Sequence, residues 1–379
     1  MKTPPLSLYV HIPWCVQKCP YCDFNSVGQK AAIDYHQYIQ ALLQDLSVDL
    51  TTYHLNHAQR KLHSIFIGGG TPSLFPAKFI KNLIEGIKKL IEFESDIEIT
   101  MEANPGTFEA ERFVGYKTAG ITRMSIGVQS FNDEKLHSLG RIHSSQEAKV
   151  AINKATSLFE RTNIDLMHGL PNQSVHEALD DLKQAIALNP QHLSWYQLTI
   201  EPNTVFGYNP PTLPNENILW SIFEQGNELL TQAGYVQYET SGYSKPDFQC
   251  QHNLNYWRFG DYLGIGCGAH GKITVQNHII RTQKLKKPKG YLNPQQDFLA
   301  NSRKVTLEEQ PFEFFMNRFR LLEPCPKQDF LDYTDAKLAA IQTPIQAAID
   351  KNLIQDRDNT WQITNHGKLF LNDLLTLFL

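Results

Sequence analysis

The stretch Cys15-Val16-Gln17-Lys18-Cys19-Pro20-Tyr21-Cys22 places three thiols within eight residues, in the spacing C-x3-C-x2-C. Three thiolates this close together can hold three irons of a cubane iron–sulfur cluster and leave the fourth iron open to another ligand. Phe24 occupies the position two residues beyond Cys22, so no fourth cysteine follows there. The stretch therefore predicts a cluster with an open iron and indicates chemistry more than structural support.

Two other interpretations of these cysteines are weaker. A structural zinc site needs four ligands, usually with a second paired half further along the chain, and the nearby His11 lies in an apolar run that is typical of a strand. A disulfide framework is disfavoured because 379 residues contain only six cysteines. Cys250, Cys267 and Cys325 have no motif spacing, and we expect buried, inert thiols there.

Composition describes an ordinary globular protein, with 41% hydrophobic and 20% charged residues. The N-terminus leads directly into a strand without an apolar leader, so we expect a reducing, cytoplasmic setting. The net charge of −4 gives no general signature of nucleic-acid binding. One local basic run is either a solvated loop or a contact for an anionic ligand; it comprises Arg281, Lys284, Lys286, Lys287 and Lys289.

Apolar runs alternate with helical patterns over the first 235 residues. The predicted strands are Leu6–His11, Ser64–Gly68, Ile97–Glu102, Arg123–Val128, Asn163–Met167 and Leu193–Ile200. The predicted helices are Ile33–Leu50, Ala77–Ile91, Glu109–Ala119, Ser145–Phe159, Val175–Leu188 and Glu216–Ala233. Six successive βα units predict an α/β fold, a partial (β/α)6 TIM-like barrel, with an open doubly wound sheet as the alternative.

Polar and glycine-rich residues follow the predicted strands, where such folds place their functional rim. Gly68-Gly69-Gly70-Thr71-Pro72 removes side chains, so that backbone groups can approach a ligand there. Glu102 is a strand-end carboxylate that could bind ribose hydroxyls, and Gln129, Arg141 and Asp165 point to the same rim. Together with the thiols, these residues indicate a cluster and a nucleoside-bearing amino acid.

The chain divides into three predicted parts. Residues 1–235 form the barrel, residues 236–310 an irregular extension of strands and loops, and residues 311–379 a C-terminal helical, winged-helix-like domain. The extension contains two segments of note, His252-Asn253-Leu254-Asn255-Tyr256-Trp257 and the glycine-rich Gly264–Gly271. Because the last domain has few basic residues, we expect it to pack or to bind a partner, and no nucleic acid is expected.

The cysteine spacing followed by a Gly-Gly-Thr-Pro loop resembles the radical S-adenosylmethionine superfamily. Within it, the chain resembles the oxygen-independent coproporphyrinogen III oxidase group over nearly its whole length, including the C-terminal domain. The segments that carry this resemblance are Tyr9-Val10-His11-Ile12-Pro13-Trp14-Cys15, Gly69-Gly70-Thr71-Pro72, Gly127-Val128-Gln129-Ser130-Phe131 and Ile164-Asp165-Leu166.

The resemblance implies a radical SAM barrel and a set of cofactor ligands. Cys15, Cys19 and Cys22 would hold a [4Fe–4S] cluster whose fourth iron is chelated by S-adenosylmethionine. Residues implied to lie at or near that cofactor are Tyr9, Tyr21, Gly68, Gly69, Gly70, Thr71 and Glu102. In the oxidases, residues matching Gln129, Arg141 and Asp165 hold a second S-adenosylmethionine. The resemblance leaves open whether this chain binds one molecule or two.

Two departures separate the chain from the oxidases. Phe24 stands where they carry an additional cysteine, and they have a longer segment before the cluster. These features and the two noted segments resemble the heme chaperone branch of the group. That likeness implies a protein that binds heme and passes it to acceptor proteins, membrane-associated ones included, without decarboxylating coproporphyrinogen. It leaves a homodimer open.

Three residues are the heme candidates. Imidazole is a common axial ligand of heme iron and aromatic rings suit a porphyrin face, so His252, with Tyr256 beside it, is the first candidate and His270 the second. The alternative for His252 is a packed, hydrogen-bonded side chain. Two competing functions stay open as well: oxidative decarboxylation of coproporphyrinogen III, and a radical enzyme that acts on RNA through a C-terminal domain with few basic residues.

Overall fold

The computed structural model describes residues 1–55 and 60–379, without the side chains of residues 107–109. The strands up to residue 200 are β1 (Leu6–Ile12), β2 (Trp14–Cys15), β3 (Val27–Gly28), β4 (Leu62–Gly69), β5 (Phe93–Ala103), β6 (Arg123–Gln129), β7 (Arg161–His168) and β8 (His192–Gln197). The later strands are β9 (Val236–Gln237), β10 (Gly242–Ser244), β11 (Asp261–Ile265), β12 (His270–Val275), β13 (His278–Lys284), β14 (Leu299–Lys304), β15 (Cys325–Pro326), β16 (Ile354–Arg357) and β17 (Thr360–Ile363).

Helices connect the strands along the chain. Up to residue 235 they are α1 (Tyr35–Thr52), α2 (Ala77–Leu90), α3 (Thr107–Ala119), α4 (Asp133–Ser138), α5 (Ser145–Leu158), α6 (Val175–Ala187), α7 (Val205–Tyr208) and α8 (Glu216–Gln232). Beyond it they are α9 (Gln251–Trp257), α10 (Pro288–Tyr291), α11 (Gln310–Arg318), α12 (Lys327–Tyr333), α13 (Leu338–Asp350), α14 (Asn365–Leu369) and α15 (Leu371–Thr376). Capping boxes at Ser144 and Ser174 begin α5 and α6.

The centre of the sheet is parallel, with neighbours in the order β1, β4, β5, β6, β7 and β8. The described sheet runs from β14 at one edge to β9 at the other, so these two edges are not paired with each other. The predicted α/β fold is thereby confirmed. The sixth strand is shorter than predicted, because β8 ends at Gln197 and not at Ile200.

Each central strand divides its side chains between two faces. Leu8, Val10 and Ile12 are fully buried in the apolar core beneath the helices, whereas Ser7 and Tyr9 project to the opposite, inner face of the barrel. In-register pairing places polar residues of the other strands on the same inner face: Ser64, Glu98, Thr100, Glu102, Arg123, Ser125, Asn163, Asp165, His192 and Ser194. The inner face is therefore polar.

The region 236–310 is more regular than expected, because its strands extend both edges of the sheet. β10 and β9 join beyond β8, while β11 pairs with β1 in parallel and β12, β13 and β14 follow antiparallel. The hairpin between β12 and β13 turns at Gln276 and Asn277, whose φ angles are 48° and 61°. Two consecutive positive φ values are typical of a type I′ turn, although neither residue is glycine, and that made the turn hard to predict.

The C-terminal part has its own aromatic core around Phe314, Phe315, Phe330, Trp361 and Phe378. Strands β15, β17 and β16 form a small antiparallel sheet beside α11–α15. Helices α14 and α15 at the end of the chain are separated at Phe370.

The aromatic core also includes residues before position 311, among them Phe259, Ile279 and Val305. The proposed boundaries at 236 and 311 stay a prediction. Among the helices of the described residues, we find none whose length and apolarity would allow it to cross a membrane.

Candidate functional site

The three cysteines lie in the loop after β1, at the carboxyl edge of the parallel strands. Each thiol is free and partly exposed. The loop is fixed at its ends, since Val27 donates its amide to the Pro13 carbonyl at 2.8 Å and Gln29 donates to Cys15 at 2.8 Å. Cys15, Cys19 and Cys22 are thus presented on an anchored loop with their sulfur atoms facing accessible space.

The surroundings of the thiols suit thiolate ligands. Arg141 donates from Nη1 to the Cys19 sulfur at 3.6 Å, and the Ser26 hydroxyl lies 3.7 Å from the Cys22 sulfur. Burial raises the pKa of the Cys15 thiol, and a hydrogen bond with Thr71 opposes that rise. Within residues 1–55 and 60–379, no three His, Cys, Asp or Glu side chains are arranged around a single metal ion.

The glycine loop after β4 packs directly against the end of β1. Gly69 has a φ of +109°, and a Cβ atom on it would lie 2.4 Å from the His11 ring. A Cβ on Gly70 would lie 2.6 Å from the Trp14 carbonyl oxygen, and the amide of Gly70 donates to Ile12 at 2.6 Å. The glycines are therefore required by close contact between two segments of the protein itself, which brings the loop beside the cysteines.

Glu102 faces the inner side of this loop. Its Oε2 accepts the amide hydrogen of Gly69 at 3.0 Å, and a Cβ on Gly68 would lie 2.9 Å from the same oxygen. Burial and the nearby Asp165 carboxylate raise the pKa of Glu102 to about 7. A ligand with hydroxyl groups would find here a carboxylate that is held in place and can either donate or accept near neutral pH.

The remaining predicted rim residues form one connected group. Gln129, with a φ of +74°, interrupts the register of β6 and accepts a hydrogen bond from the Tyr196 hydroxyl at 3.0 Å. Arg141 donates from Nη2 to the Gly127 carbonyl at 2.6 Å, while its buried Nε has no partner among the described residues. Asp165 accepts from Asn163 at 2.7 Å. An unpartnered buried donor beside the thiols is consistent with a polar ligand at this rim.

Thr71 and the two tyrosines complete the predicted set. Asn104 donates to the Thr71 hydroxyl at 3.3 Å, so this buried hydroxyl is already engaged. The Tyr9 hydroxyl lies 2.9 Å from Nδ1 of His11. Burial raises the pKa of Tyr21, which lies close to Arg141 and Cys19. The structure brings all of the predicted cofactor residues to one edge of the barrel, and their roles in binding stay a prediction.

A cavity of about 650 Å³ opens beside this edge. Its lining residues come from the cysteine loop, the strand ends and the region after residue 250: Tyr9, His11, Lys18, Asp23, Phe24, Asn25, Ser26, Gly69, Glu102, Tyr256, Tyr262, Gly268, His270 and Lys286. Volumes of roughly 300–1,000 Å³ are typical of small-molecule sites. A second cavity of about 420 Å³ lies next to it, and Tyr262 and His270 line both.

His252 is packed beneath this cavity. It is 1% exposed, its Nδ1 lies 2.9 Å from the Ser64 hydroxyl and its Nε2 lies 2.8 Å from the Tyr256 hydroxyl. Burial lowers its pKa to about 3. With both ring nitrogens engaged, His252 matches the packed histidine that the sequence left as the alternative. Tyr256 and the exposed His270 line the cavity, and heme ligation by any of the three stays a prediction.

The residues of the basic run lie in different environments. Lys284 is buried and paired with Asp45 and Asp49, and Arg281 is paired with Glu313. Lys286 lines the larger cavity.

Comparison with known proteins identifies the family. The family model of the radical SAM superfamily matches residues 9–185, and that of the HemN C-terminal domain matches residues 305–370. The heme chaperone HemW of Haemophilus influenzae is 63% identical over 380 residues, which cover 100% of this chain and 99% of that protein. The chain belongs to the HemW family. HemW of Escherichia coli is 58% identical with the same coverage, and HemW of Bacillus subtilis is 32% identical over 98% of this chain and 99% of its own length.

A solved structure agrees with the fold. Coproporphyrinogen III oxidase (HemN) from Escherichia coli, a radical SAM enzyme, superposes with a TM-score of 0.84 at 24% identity, covering 99% of this chain and 90% of that one. At this identity the likeness shows the fold alone. The predicted resemblance to the radical SAM superfamily, and to its heme chaperone branch in particular, is confirmed by the HemW relatives. Membership in that superfamily implies a [4Fe–4S] cluster and S-adenosylmethionine.

Several residues of the larger cavity were not singled out from the sequence. Lys18, Asp23 and Tyr262 line it without having been proposed for a site, and Lys286 was noted only as part of a basic run. A usable signal existed for the inner face, because many alternate residues of the central strands are polar, as in Ser7, Tyr9 and His11. No local signal pointed to Tyr262, because the parallel pairing of β11 with β1 brings it to the site.

Proposed function

We propose that this chain binds heme in the larger cavity and delivers it to acceptor proteins. The observation that carries the proposal is the composition of the cavity wall in a chain that is 63% identical to a heme chaperone. The wall combines aromatic rings, histidine and lysine, which suit a flat apolar macrocycle with an iron centre and two carboxylates.

Phe24 supports this proposal. It is 59% exposed, although large aromatic side chains are usually buried, and it lies at the cavity wall. An exposed ring at a cavity mouth is suited to stack on a porphyrin face. The residue that distinguishes the chain from the oxidases is thus placed where it would contact the cargo.

Two lysines supply complementary charge. Lys18 and Lys286 both line the cavity, and both are exposed. Lys18 donates to the carbonyl oxygens of Phe24 at 3.0 Å and of Ser26 at 3.3 Å, which holds its ammonium group at the mouth. Ammonium groups at the mouth of this cavity suit the two propionates of heme.

Beside the heme, Cys15, Cys19 and Cys22 are proposed to hold the [4Fe–4S] cluster. The Gly69–Thr71 loop, Glu102 and the group around Arg141 are proposed to hold S-adenosylmethionine, as one or two molecules. Gly69 and Glu102 also line the larger cavity, so the heme is proposed to lie against its other wall, at Phe24, His270 and Lys286. When bound, the pair supplies electron transfer to a sulfonium and a deoxyadenosyl radical. The residues of this chain orient the ligand and limit access of water. The anchored cysteine loop, the fixed Glu102 carboxylate and the unpartnered Nε of Arg141 support this arrangement.

The partners in this proposal are heme and heme-acceptor proteins, including acceptors at a membrane. A homodimer and a cytoplasmic location belong to the same proposal.

Anaerobic reconstitution followed by heme titration tests the proposal. We expect near-stoichiometric heme binding, transfer to an apo-heme protein, and no protoporphyrinogen from coproporphyrinogen III with S-adenosylmethionine and a reductant. 5′-Deoxyadenosine is measured in parallel, so that cleavage of the cofactor is recorded separately. A protein with an intact cluster but no heme spectrum contradicts the proposal, whereas product formation would establish the oxidase instead.

Charge reversal at the cavity mouth gives a more local test. Lys286→Glu is expected to weaken heme binding about tenfold, because it replaces attraction of a propionate by repulsion. The matched control is Lys289→Glu in α10, an exposed lysine that does not line the cavity. Equal effects of the two variants on the heme dissociation constant would show that only net charge matters.

A further inference from the structure

Three tyrosines line the larger cavity, and they differ in what their hydroxyl groups bind. Phenolate is an established ligand of ferric heme, so a tyrosine at a heme cavity is a potential axial ligand. A tyrosine suited to this role has a hydroxyl group that donates its proton to no acceptor. Its oxygen atom also lies close to a cation, because a nearby cation favours the phenolate. The hydrogen bonds of Tyr9, Tyr256 and Tyr262 show which of these tyrosines meets the two criteria.

Tyr9 does not meet the requirement. Its hydroxyl lies 2.9 Å from Nδ1 of His11, whose Nε2 lies 2.9 Å from the Asn25 carbonyl oxygen. A carbonyl only accepts, so the ring proton of a neutral His11 is on Nε2 and Nδ1 must accept from Tyr9. Burial lowers the pKa of His11, in agreement with a neutral ring. A phenolate at Tyr9 would face a nitrogen lone pair.

Tyr256 is a weaker candidate for a related reason. Its hydroxyl lies 2.8 Å from Nε2 of the buried His252, which is also bonded to Ser64. A phenolate there would have one neutral donor at most, and no cation bonds its oxygen among the described residues.

Tyr262 has the opposite surroundings. Its oxygen accepts a hydrogen bond from Nη1 of Arg281 at 2.9 Å, and among the described residues no acceptor for its own proton is bonded to it. Burial and, to a smaller extent, the Glu313 carboxylate raise the pKa of Tyr262, and the Arg281 charge and hydrogen bond oppose that rise. A guanidinium keeps its charge at every relevant pH, so the donor is permanent.

The position of Tyr262 fits an iron ligand as well. It forms part of the wall between the cavities of about 650 and 420 Å³, together with His270. Its ring is packed edge-on against Tyr256 at 4.4 Å between centroids, and it extends from β11, so its direction is fixed. Arg281 is in turn held by Glu313, which accepts from its Nε at 3.1 Å.

We propose that Tyr262 is the axial ligand of ferric heme in this chain and that Arg281 stabilises the bound phenolate. This inference rests on the proposed function, since it assigns the ligand within the same cavity. On binding, a bond forms between the Tyr262 oxygen and Fe(III), the O–H bond breaks and the proton passes to water in the cavity. Iron stays ferric and no electron is transferred. Arg281 is a positioning residue.

The test compares isosteric variants by absorption and resonance Raman spectroscopy of the ferric heme complex of the full chain. We expect the wild type to show the tyrosinate-to-iron charge-transfer absorption, and Tyr262→Phe to lose it with about tenfold weaker binding. Tyr256→Phe is the matched control, because it removes a hydroxyl from the adjacent ring of the same cavity. Tyr262→His is expected to give an imidazole spectrum in place of the tyrosinate one.

The positioning role has a separate readout. Arg281→Met is expected to weaken the tyrosinate signature, and Arg281→Lys to restore part of it. Reduction with dithionite is expected to weaken heme binding about tenfold in the wild type and little in Tyr262→Phe, because a phenolate favours ferric over ferrous iron. Folding of each variant is checked by circular dichroism.

The outcomes separate the two proposals. If the wild type binds no heme, the proposed function fails. If it binds heme and Tyr262→Phe keeps an unchanged spectrum, the function stands and Tyr262 is not the ligand. Loss of the tyrosinate signal in Tyr256→Phe but not in Tyr262→Phe would overturn the assignment in favour of Tyr256.

Discussion

The inner face of the barrel has two halves that carry similar residues for different purposes. We call Ser7, Ser64, Arg123, Asn163 and His192 the lower inner face, and the strand ends at Tyr9, Gly69, Glu102, Gln129 and Asp165 the upper inner face. In the lower half polar groups bond one another: the Ser7 and Ser64 hydroxyls lie 2.7 Å apart, and His192 bonds Asn163 at 2.6 Å.

The difference arises from what covers each half. Helix α9 lies over part of the lower half, where its His252 bonds Ser64 and its first amides, those of Gln251 and His252, donate to Glu98. Nothing comparable covers the upper half within the described residues, and the cavity opens there. The polar residues of the lower half thus bond one another and the helix above them, whereas Tyr9, Gly69 and Glu102 of the upper half line the cavity.

The largest effect is expected at the cysteine loop above the upper inner face. Cys19→Ala should abolish the iron–sulfur absorption after anaerobic reconstitution, because the cluster loses one of three protein ligands. The free energy of unfolding of the metal-free protein should change by less than about 1 kcal/mol, since the thiol is partly exposed. Cys325→Ala in the C-terminal core is the control, and it should keep its iron and sulfide content. Loss of the cluster in both variants would contradict this contrast.

At the lower inner face, a substitution should instead lower the free energy of unfolding. Arg123 is 2% exposed and lies near Glu98 and Asp165, so Arg123→Met removes a buried cation beside two buried carboxylates, of which Glu98 keeps only Arg161 at 3.9 Å, and should cost about 3–5 kcal/mol. Urea unfolding of the metal-free protein measures this loss. Arg357→Met, at an exposed arginine that bonds Gln355, should change stability by less than about 0.5 kcal/mol. A small effect at Arg123 would show that the lower half does not depend on charge pairing.

A glycine tests the contact between two upper strand ends. Gly69→Ala should cost about 3 kcal/mol, because φ is +109° and the new methyl group would lie 2.4 Å from the His11 ring. Gly28→Ala is the matched control, since a Cβ there meets nothing within 4 Å. Urea unfolding compares the two variants, and calorimetry measures S-adenosylmethionine binding to the reconstituted proteins. Equal stability of the two variants would mean that the loop adjusts freely.

The smallest expected effect is a change in how the free energy of unfolding depends on pH. The pKa of Glu102 is raised from 4.5 to about 7, so the folded state holds this proton more tightly than the unfolded state. The associated stability is present below pH 4.5 and is lost as pH rises through 7, by at most about 3 kcal/mol. Glu102→Gln should remove that loss, so that the variant is relatively more stable at pH 8. Unfolding of both metal-free proteins between pH 4 and 8 measures the difference, and parallel curves would refute a raised pKa.

Local sequence predicted the parts of the site that depend on short spacing. The three cysteines, the Gly68–Pro72 loop and Glu102 each follow a strand that could be recognised from its apolar run, and parallel strands bring their carboxyl ends together. The end of the sixth strand was misplaced, because β8 ends at Gln197 and not at Ile200. Strand ends are the least reliable part of such predictions, since no residue there forces a turn.

The sequence could not show which residues would meet from distant parts of the chain. Cysteine spacing and strand-end residues determined a cluster loop at the rim of a parallel barrel, because both are local properties of the chain. The tertiary structure decided that His252 is buried and bonded to Ser64, and that Tyr262 is bonded to Arg281. It also decided that Phe24 lines the same cavity as Tyr256 and Tyr262. Those contacts depend on β11 pairing with β1, some 250 residues earlier, and pairing over such distances is set by packing of the whole sheet.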